Sequence, residues 1–284
     1  MIDIKMREFG FYTEQGPRTC VRLGTFDDFP DDIGEICEII QSILIHPSML
    51  AAYGLNLPES RIADRRLKTI QGSIDRAILF DRKSLLEHRA PQERVVSICR
   101  HFAMFLVSVL REKGIPARSR CGFATYFENG WFEDHWICEY WKKDEQRWAR
   151  VDAEIDKMHK KVLHLDATFI DFNDLPPEAF FPAGILWKLH REGLISGRLC
   201  GYSQEEGECG AWYIRGGNML RDFFSLNKVE YTYQEINRLM SKDYQPTEAE
   251  YAILDTIADL TIKVDERFDE FTEFHKENQT LNPK

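Results

Sequence analysis

A cysteine, a histidine and an aspartate that could act together in acyl transfer lie in one part of the chain, at Cys99, His135 and Asp152. In such chemistry a thiolate attacks a carbonyl carbon, an imidazole accepts the thiol proton, and a carboxylate orients the imidazole. Each residue also has an ordinary structural interpretation. Cys99 could be a small buried hydrophobic residue, and the other two could form a surface ion pair.

The apolar spacing predicts a helix over residues 97–113, with Ser97 as a candidate N-cap. Cys99 then falls in the first turn, where exposed N–H groups and the positive helix end favour thiolate over thiol. Arg100 and His101 would add positive character. Gly114 is a natural stop for this helix, so the expected helix presents its cysteine at the N-terminal end.

Three segments after this helix are rich in aromatic and β-branched residues and predict strands: Ala117–Phe127, His135–Trp141 and Arg147–Asp152. If Trp141 and Gln146 close a hairpin between the last two, paired residue numbers sum to 287 and the loop has four residues. His135 and Asp152 also sum to 287 and would face each other directly. This register predicts a histidine–carboxylate pair.

The order of these motifs is distinctive: Cys99 at a helix start, then REKGIPARSRCGF, then DHWICEYW, then RWARVD. In this order and spacing, residues 94–153 closely resemble the transglutaminase-like core. The resemblance implies a papain-like α+β fold in which the cysteine-bearing helix packs on an antiparallel sheet. It implies that Cys99, His135 and Asp152 form the catalytic triad and that no metal or organic cofactor is required.

The sequence departs from the family pattern near the cysteine and the histidine. Ser97 and Ile98 stand where family members often have glycine, and His101 stands where bacterial members often have aspartate. The alanine that commonly follows the family histidine is replaced by Trp136. None of these changes removes a group of the triad.

Outside the triad, Trp136, Trp212 and Arg215 are the candidate substrate-binding residues. Trp212 and Arg215 belong to an unusual run of residues, 210–221, in which aromatic and cationic side chains surround paired glycines at an expected helix start. No metal site is predicted, because the spacing of the cysteines matches no standard ligand set.

The overall composition limits the classes of binding partner that the sequence predicts. The net charge of −10 disfavours nucleic acid, because an acidic surface repels phosphate. The N-terminal residues lack the apolar core of a signal peptide, and no stretch is long enough to span a bilayer, so no membrane partner is expected. Seven irregularly spaced cysteines favour a reducing cytoplasmic location over a disulfide framework. The oligomeric state does not follow from the sequence.

We expect three regions: a mainly helical N-terminal part at 1–90, a transglutaminase-like core at 91–156, and a mostly helical region at 157–284. Within the last region, the apolar spacing predicts one long helix after the capping box at 247–250. The expected activity is cleavage or transfer of the acyl group of a peptide, protein or small-molecule amide through a Cys99 thioester. Hydrolysis is favoured because it needs only water as acceptor. An amide-forming acyltransferase and a catalytically silent binding module of the same fold are the alternatives.

Overall fold

Helices and strands are interspersed along the chain in the computed structural model, which describes residues 2–165, 169–202 and 208–283. The α-helices are α1 (Ile2–Thr13), α2 (Ile33–Ile43), α3 (Glu59–Ile62), α4 (Ile70–Asp81), α5 (Cys99–Glu112), α6 (Lys157–Val162), α7 (Ala183–Arg191), α8 (Leu220–Leu226), α9 (Glu248–Ile262) and α10 (Phe268–Glu277). The strands are β1 (Leu44–Ile45), β2 (Val95–Val96), β3 (Ala117–Ala124), β4 (Phe132–Lys142), β5 (Arg147–Val151), β6 (Phe180–Pro182), β7 (Cys200–Tyr202) and β8 (Glu208–Cys209). The α+β prediction is confirmed.

The strands form a pair, β1–β2, and a mainly antiparallel sheet in the order β6-β3-β4-β7-β8, with β5 also pairing with β4. The chain divides into two compact units. The cysteine unit comprises Tyr12–Ser119 and Ile137–Pro176. The histidine unit comprises Met1–Phe11, Arg120–Trp136 and Pro177–Lys284. Cys99 and Asp152 belong to the first unit, and His135 belongs to the second.

Helix α5 lies at the centre of the cysteine unit and packs against α2 and α4. Its predicted apolar stripe comprises Ile98, Phe102, Phe105, Leu106, Val109 and Leu110. The last five are confirmed as buried, whereas Ile98 precedes the helix and is only half-buried. Gly114 follows the helix with a φ of 72°, in the left-handed region that glycine adopts without strain, so the predicted stop is also confirmed. The fully apolar face fixes how α5 lies in the core and therefore where its first turn is held.

The hairpin of β4 and β5 differs in register from the prediction. Lys142 pairs with Arg147 and Cys138 with Val151, so paired numbers sum to 289 rather than 287. The four-residue loop is retained, but it is shifted by one residue and ends at Gln146, whose φ is 53°. Asp174 binds both residues that close the loop, at 3.2 Å from Lys142 Nζ and 2.9 Å from Arg147 Nη1. This contact from a distant segment favours the observed closure over the predicted one.

The histidine unit contains the antiparallel pair of β3 with β6, together with β7, which pairs in parallel with the start of β4. A π-helix, Tyr213–Met219, leads directly into α8. The paired glycines therefore lie inside a helical segment and not at a helix start. The reason is steric, because a Cβ atom at Gly216 would approach Met240 Cα to 2.3 Å, and glycine allows this close contact.

The predicted single C-terminal helix is two helices, α9 and α10, although the predicted capping box at Thr247 and Glu250 is confirmed. The break at residues 263–267 preserves the apolar face, since Val264 and Phe268 remain buried. In the part of the chain that the structure describes, no helix combines the length and the apolar character needed to cross a bilayer.

Candidate active site

Cys99 is the first residue of α5 and is only 8% exposed. The N-cap is Ile98, not the predicted Ser97, whose backbone N–H instead donates to the carbonyl of Ile45 at 2.9 Å. That bond continues the β1–β2 pairing and keeps Ser97 in extended backbone. The N–H groups of the first helical turn have no partner within the helix, so this end of α5 attracts negative charge. The Cys99 thiol lies at that end.

The first turn of α5 is anchored by side chains that follow the cysteine. His101 Nδ1 accepts a hydrogen bond from the Ile98 N–H at 3.2 Å, and Nε2 donates to the Leu67 carbonyl at 2.8 Å. Arg100 donates to the Leu67 and Lys68 carbonyls. Burial and the neighbouring Arg100 cation lower the pKa of His101 to about 3, so the imidazole is neutral. The expected positive contribution of His101 is therefore wrong, and its role is that of a cap.

A buried carboxylate that no sequence motif indicates lies beside the nucleophile candidate. A Glu154 carboxylate oxygen lies within 4.8 Å of Cys99 Sγ, and Glu154 is 4% exposed. Both residues belong to the cysteine unit. The sequence offered one signal for Glu154, its position two residues beyond the family aspartate. Only the turn that follows β5 brings the Glu154 side chain close to Cys99.

Glu154 is part of a buried charge network. Its Oε1 lies 3.4 Å from His159 Nε2 and 3.9 Å from His46 Nδ1. His159 Nδ1 donates to Asp156 at 2.7 Å, and Tyr53 donates to the other Asp156 oxygen at 2.5 Å. These contacts place a histidine between two carboxylates.

The network sets the protonation of its members. Burial alone would lower the pKa of His159, but hydrogen bonds and charges from Asp156 and Glu154 outweigh it and raise that pKa to about 9. Burial likewise opposes ionisation of Asp156, yet bonds from His159 and Tyr53 lower its pKa to about 2. At neutral pH, His159 is therefore an imidazolium ion that faces Glu154.

Asp152 is 1% exposed and directly follows β5. Its Oδ1 accepts the backbone N–H of Glu154 at 3.0 Å, an Asx-turn geometry that shapes the turn carrying Glu154. Its backbone N–H donates to the Phe172 carbonyl at 2.9 Å. Asp152 also borders a cleft of about 420 Å³ together with Cys37. Burial, and then the Asp152 charge, raise the pKa of the Cys37 thiol.

His135 is 3% exposed and lies on β4 within the histidine unit. Its ring contacts Phe127 edge-to-face with 5.0 Å between centroids, and Tyr126 lies at 6.2 Å in a similar arrangement. The preceding Asp134 accepts a hydrogen bond from the Tyr213 hydroxyl at 3.1 Å, and burial raises the pKa of this aspartate. Two aromatic rings of the same unit therefore pack near the His135 imidazole.

The three candidate substrate-binding residues all lie in the histidine unit. Trp136 is 1% exposed and donates from Nε1 to the Tyr233 hydroxyl at 3.0 Å. Arg215 is also buried and donates to the backbone carbonyls of Leu239, Ser241 and Tyr244. Trp212 is half-buried, and its Nε1 donates to the Cys209 carbonyl at 3.1 Å. These contacts favour a packing role for Trp136 and Arg215 and leave Trp212 the best able to touch a ligand.

Comparison with known proteins supports the resemblance found in the sequence. Residues 67–153 match the family model described as the transglutaminase-like superfamily. No curated protein and no solved structure matches the chain. The matched segment contains Cys99, His135 and Asp152, and it covers helix α5 and the β4–β5 hairpin.

Proposed function

We propose that this protein is a cysteine-nucleophile enzyme that hydrolyses an amide bond through a thioester on Cys99, with His135 and Asp152 completing the triad. The observation that supports it most directly is the position of Cys99 as first residue of α5, inside the segment that matches the transglutaminase-like superfamily. A helix N-terminus stabilises a thiolate, and the family chemistry uses that group as its nucleophile.

Acylation would begin when His135 withdraws the thiol proton. The Cys99 thiolate then attacks the amide carbonyl, and exposed N–H groups at the start of α5 stabilise the oxyanion that forms. The C–N bond breaks as the protonated His135 delivers its proton to the leaving amine. Asp152 would hold His135 in the required tautomer and balance its charge.

Deacylation would be hydrolytic. Water adds to the thioester carbon, the C–S bond breaks, and the products are a carboxylic acid and the Cys99 thiol. Trp212 is the residue that we propose for contact with the acyl group, because it is the least buried of the three candidates.

The proposal is tested with p-nitrophenyl acetate as an activated acyl donor. The native protein should release a burst of p-nitrophenolate and carry one acetyl group on Cys99, identified by mass spectrometry. Cys99→Ala should abolish the burst, and His135→Gln should slow acylation about 100-fold or more. Cys20→Ala and His88→Gln, which alter an exposed cysteine and an exposed histidine, are the matched controls and should leave the burst unchanged. A burst that survives Cys99→Ala would refute the assignment.

Hydrolysis is separated from acyl transfer by the fate of the acetyl group. With a primary amine added at millimolar concentration, we expect free acetate to exceed the amide adduct. An excess of the adduct would favour the amide-forming acyltransferase instead. If p-nitrophenyl acetate acetylates no cysteine of the native protein, the result would support the catalytically silent binding module.

A further inference from the structure

Glu154 and its buried network lie beside the nucleophile, and Glu154 is not one of the three residues of the proposed triad. Glu154 reaches within 4.8 Å of Cys99 Sγ, a separation that one water molecule can bridge. A carboxylate that is 4% exposed would normally be costly to bury, and here the His159 imidazolium compensates it. The protein therefore holds an ionisable base close to the atom at which the thioester would form.

We infer that Glu154 is a further catalytic residue, the general base that activates the water which hydrolyses the Cys99 thioester. This inference rests on the proposed function. In the step, the water oxygen bonds to the acyl carbon while one water proton moves to the Glu154 carboxylate. The C–S bond then breaks, the electron pair returns to sulfur, and Glu154 passes the proton to the thiolate. The carboxylic acid leaves, and both Cys99 and Glu154 regain their starting states.

The surroundings of Glu154 suit this task. Within the cysteine unit, the groups near Glu154 include Cys99 at the start of α5, His46 after β1, and His159 on α6. Asp156 fixes His159 from the other side, and Asp152 holds the Glu154 backbone N–H. Charged His159, with its Nε2 3.4 Å from Glu154 Oε1, stabilises the ionised form of this carboxylate. The same carboxylate repels a thiolate, so Glu154 should restrain the resting nucleophile while it accelerates deacylation.

These two effects have opposite signs, which makes Glu154→Gln diagnostic. With p-nitrophenyl acetate, the variant should keep its burst but release acetate about 100-fold more slowly, so that acetyl-Cys99 accumulates. Iodoacetamide should alkylate Cys99 about tenfold faster at pH 7, because a neighbouring negative charge is gone. Hydroxylamine should deacylate the variant as fast as the native protein, since it attacks without a general base.

The matched variants are Glu154→Asp and Glu38→Gln. Glu154→Asp keeps the charge one methylene further back and should show intermediate deacylation with native alkylation. Glu38→Gln removes an exposed carboxylate of the same unit and should change neither rate. If Glu154→Gln is unfolded in circular dichroism, Glu154→Asp carries the test alone through its ratio of deacylation to alkylation rates.

Three results would overturn the inference: unchanged acetate release in Glu154→Gln, equal slowing of acylation, deacylation and alkylation, or failure of hydroxylamine to restore turnover. Failure of the underlying function has a different signature. In that case the native protein gives no burst, or Cys99→Ala retains it, whatever residue occupies position 154.

Discussion

His101 Nδ1 accepts a hydrogen bond from the backbone N–H of Ile98 at 3.2 Å, and this bond closes the N-terminus of the helix that begins with Cys99. A capping box has two hydrogen bonds between the N-cap residue and the third helical residue. Ile98 has no side-chain acceptor, so only the bond from its backbone N–H to the His101 side chain is formed. Its opposite nitrogen holds the Leu67 carbonyl. A neutral imidazole can make both bonds, because one nitrogen accepts while the other donates.

We expect His101→Leu to lower the free energy of unfolding by about 1 to 2 kcal/mol, since it removes a helix cap and leaves the Ile98 N–H without its acceptor. Alkylation of Cys99 should also slow as the first turn frays. In His101→Gln, the amide offers both an acceptor and a donor, so this variant should lose less stability than His101→Leu. Urea unfolding and iodoacetamide kinetics measure both effects, and equal stability of the leucine variant would contradict the capping role.

Cys99 should be the first cysteine alkylated at neutral pH. Burial raises the pKa of the Cys37 and Cys138 thiols, and it raises that of Cys200 to about 12, so these three should react last. Cys20 is exposed and is the strongest competitor, but it has no helix N-terminus to favour its thiolate. Limited iodoacetamide followed by peptide mass spectrometry gives the order. Labelling of Cys20 with Cys99 left intact would count against an activated nucleophile.

The stability of the protein should fall as the pH rises from 6.5 through 9. The folded pKa of His159 is about 9 against 6.5 for an ordinary histidine, so its stabilisation is complete below pH 6.5 and is lost as the folded group deprotonates. The loss should amount to about 2 to 3 kcal/mol. Thermal unfolding across this range measures it. His159→Gln should flatten the dependence, and a variant that retains the full slope would exclude this histidine as its cause.

Glu139 should be among the most sensitive positions for folding. On β4 it pairs directly with Arg150 and accepts hydrogen bonds from Arg118 at 2.9 Å and Arg150 at 3.1 Å. Arg118 is buried against the Trp148 ring, with its guanidinium carbon 3.9 Å from the ring centroid. Glu139→Gln should cost about 3 kcal/mol or more, because it leaves a buried cation without its counter-charge.

The matched control for Glu139 is Glu145→Gln, since Glu145 pairs with Arg147 at the exposed hairpin loop. Solvent screens such a pair, and its loss should produce no measurable change in stability. Chemical denaturation of both variants checks the comparison. Similar losses at the two positions would mean that burial does not distinguish the pairs.

The predicted helix around the cysteine was accurate because its signals are local. The apolar stripe from Phe102 to Leu110 and the stop at Gly114 depend on neighbouring residues, and both are observed. The predicted hairpin register was wrong by two residues. Either Trp141 with Gln146 or Lys142 with Arg147 can close a four-residue loop, and local sequence does not distinguish the two pairs. Asp174, which binds Lys142 and Arg147, favours one closure and lies almost thirty residues beyond the loop.

The sequence by itself determined the α+β class, the helix that carries Cys99 in its first turn and the transglutaminase-like motif order, because periodicity, turn residues and motif spacing are encoded in consecutive positions. Only the tertiary structure decided that Glu154 lies beside the Cys99 sulfur and that His159 is charged. Those facts depend on how β1, α5, α6 and the turn after β5 converge. Burial and opposite charge act through space, so no spacing along the chain expresses them.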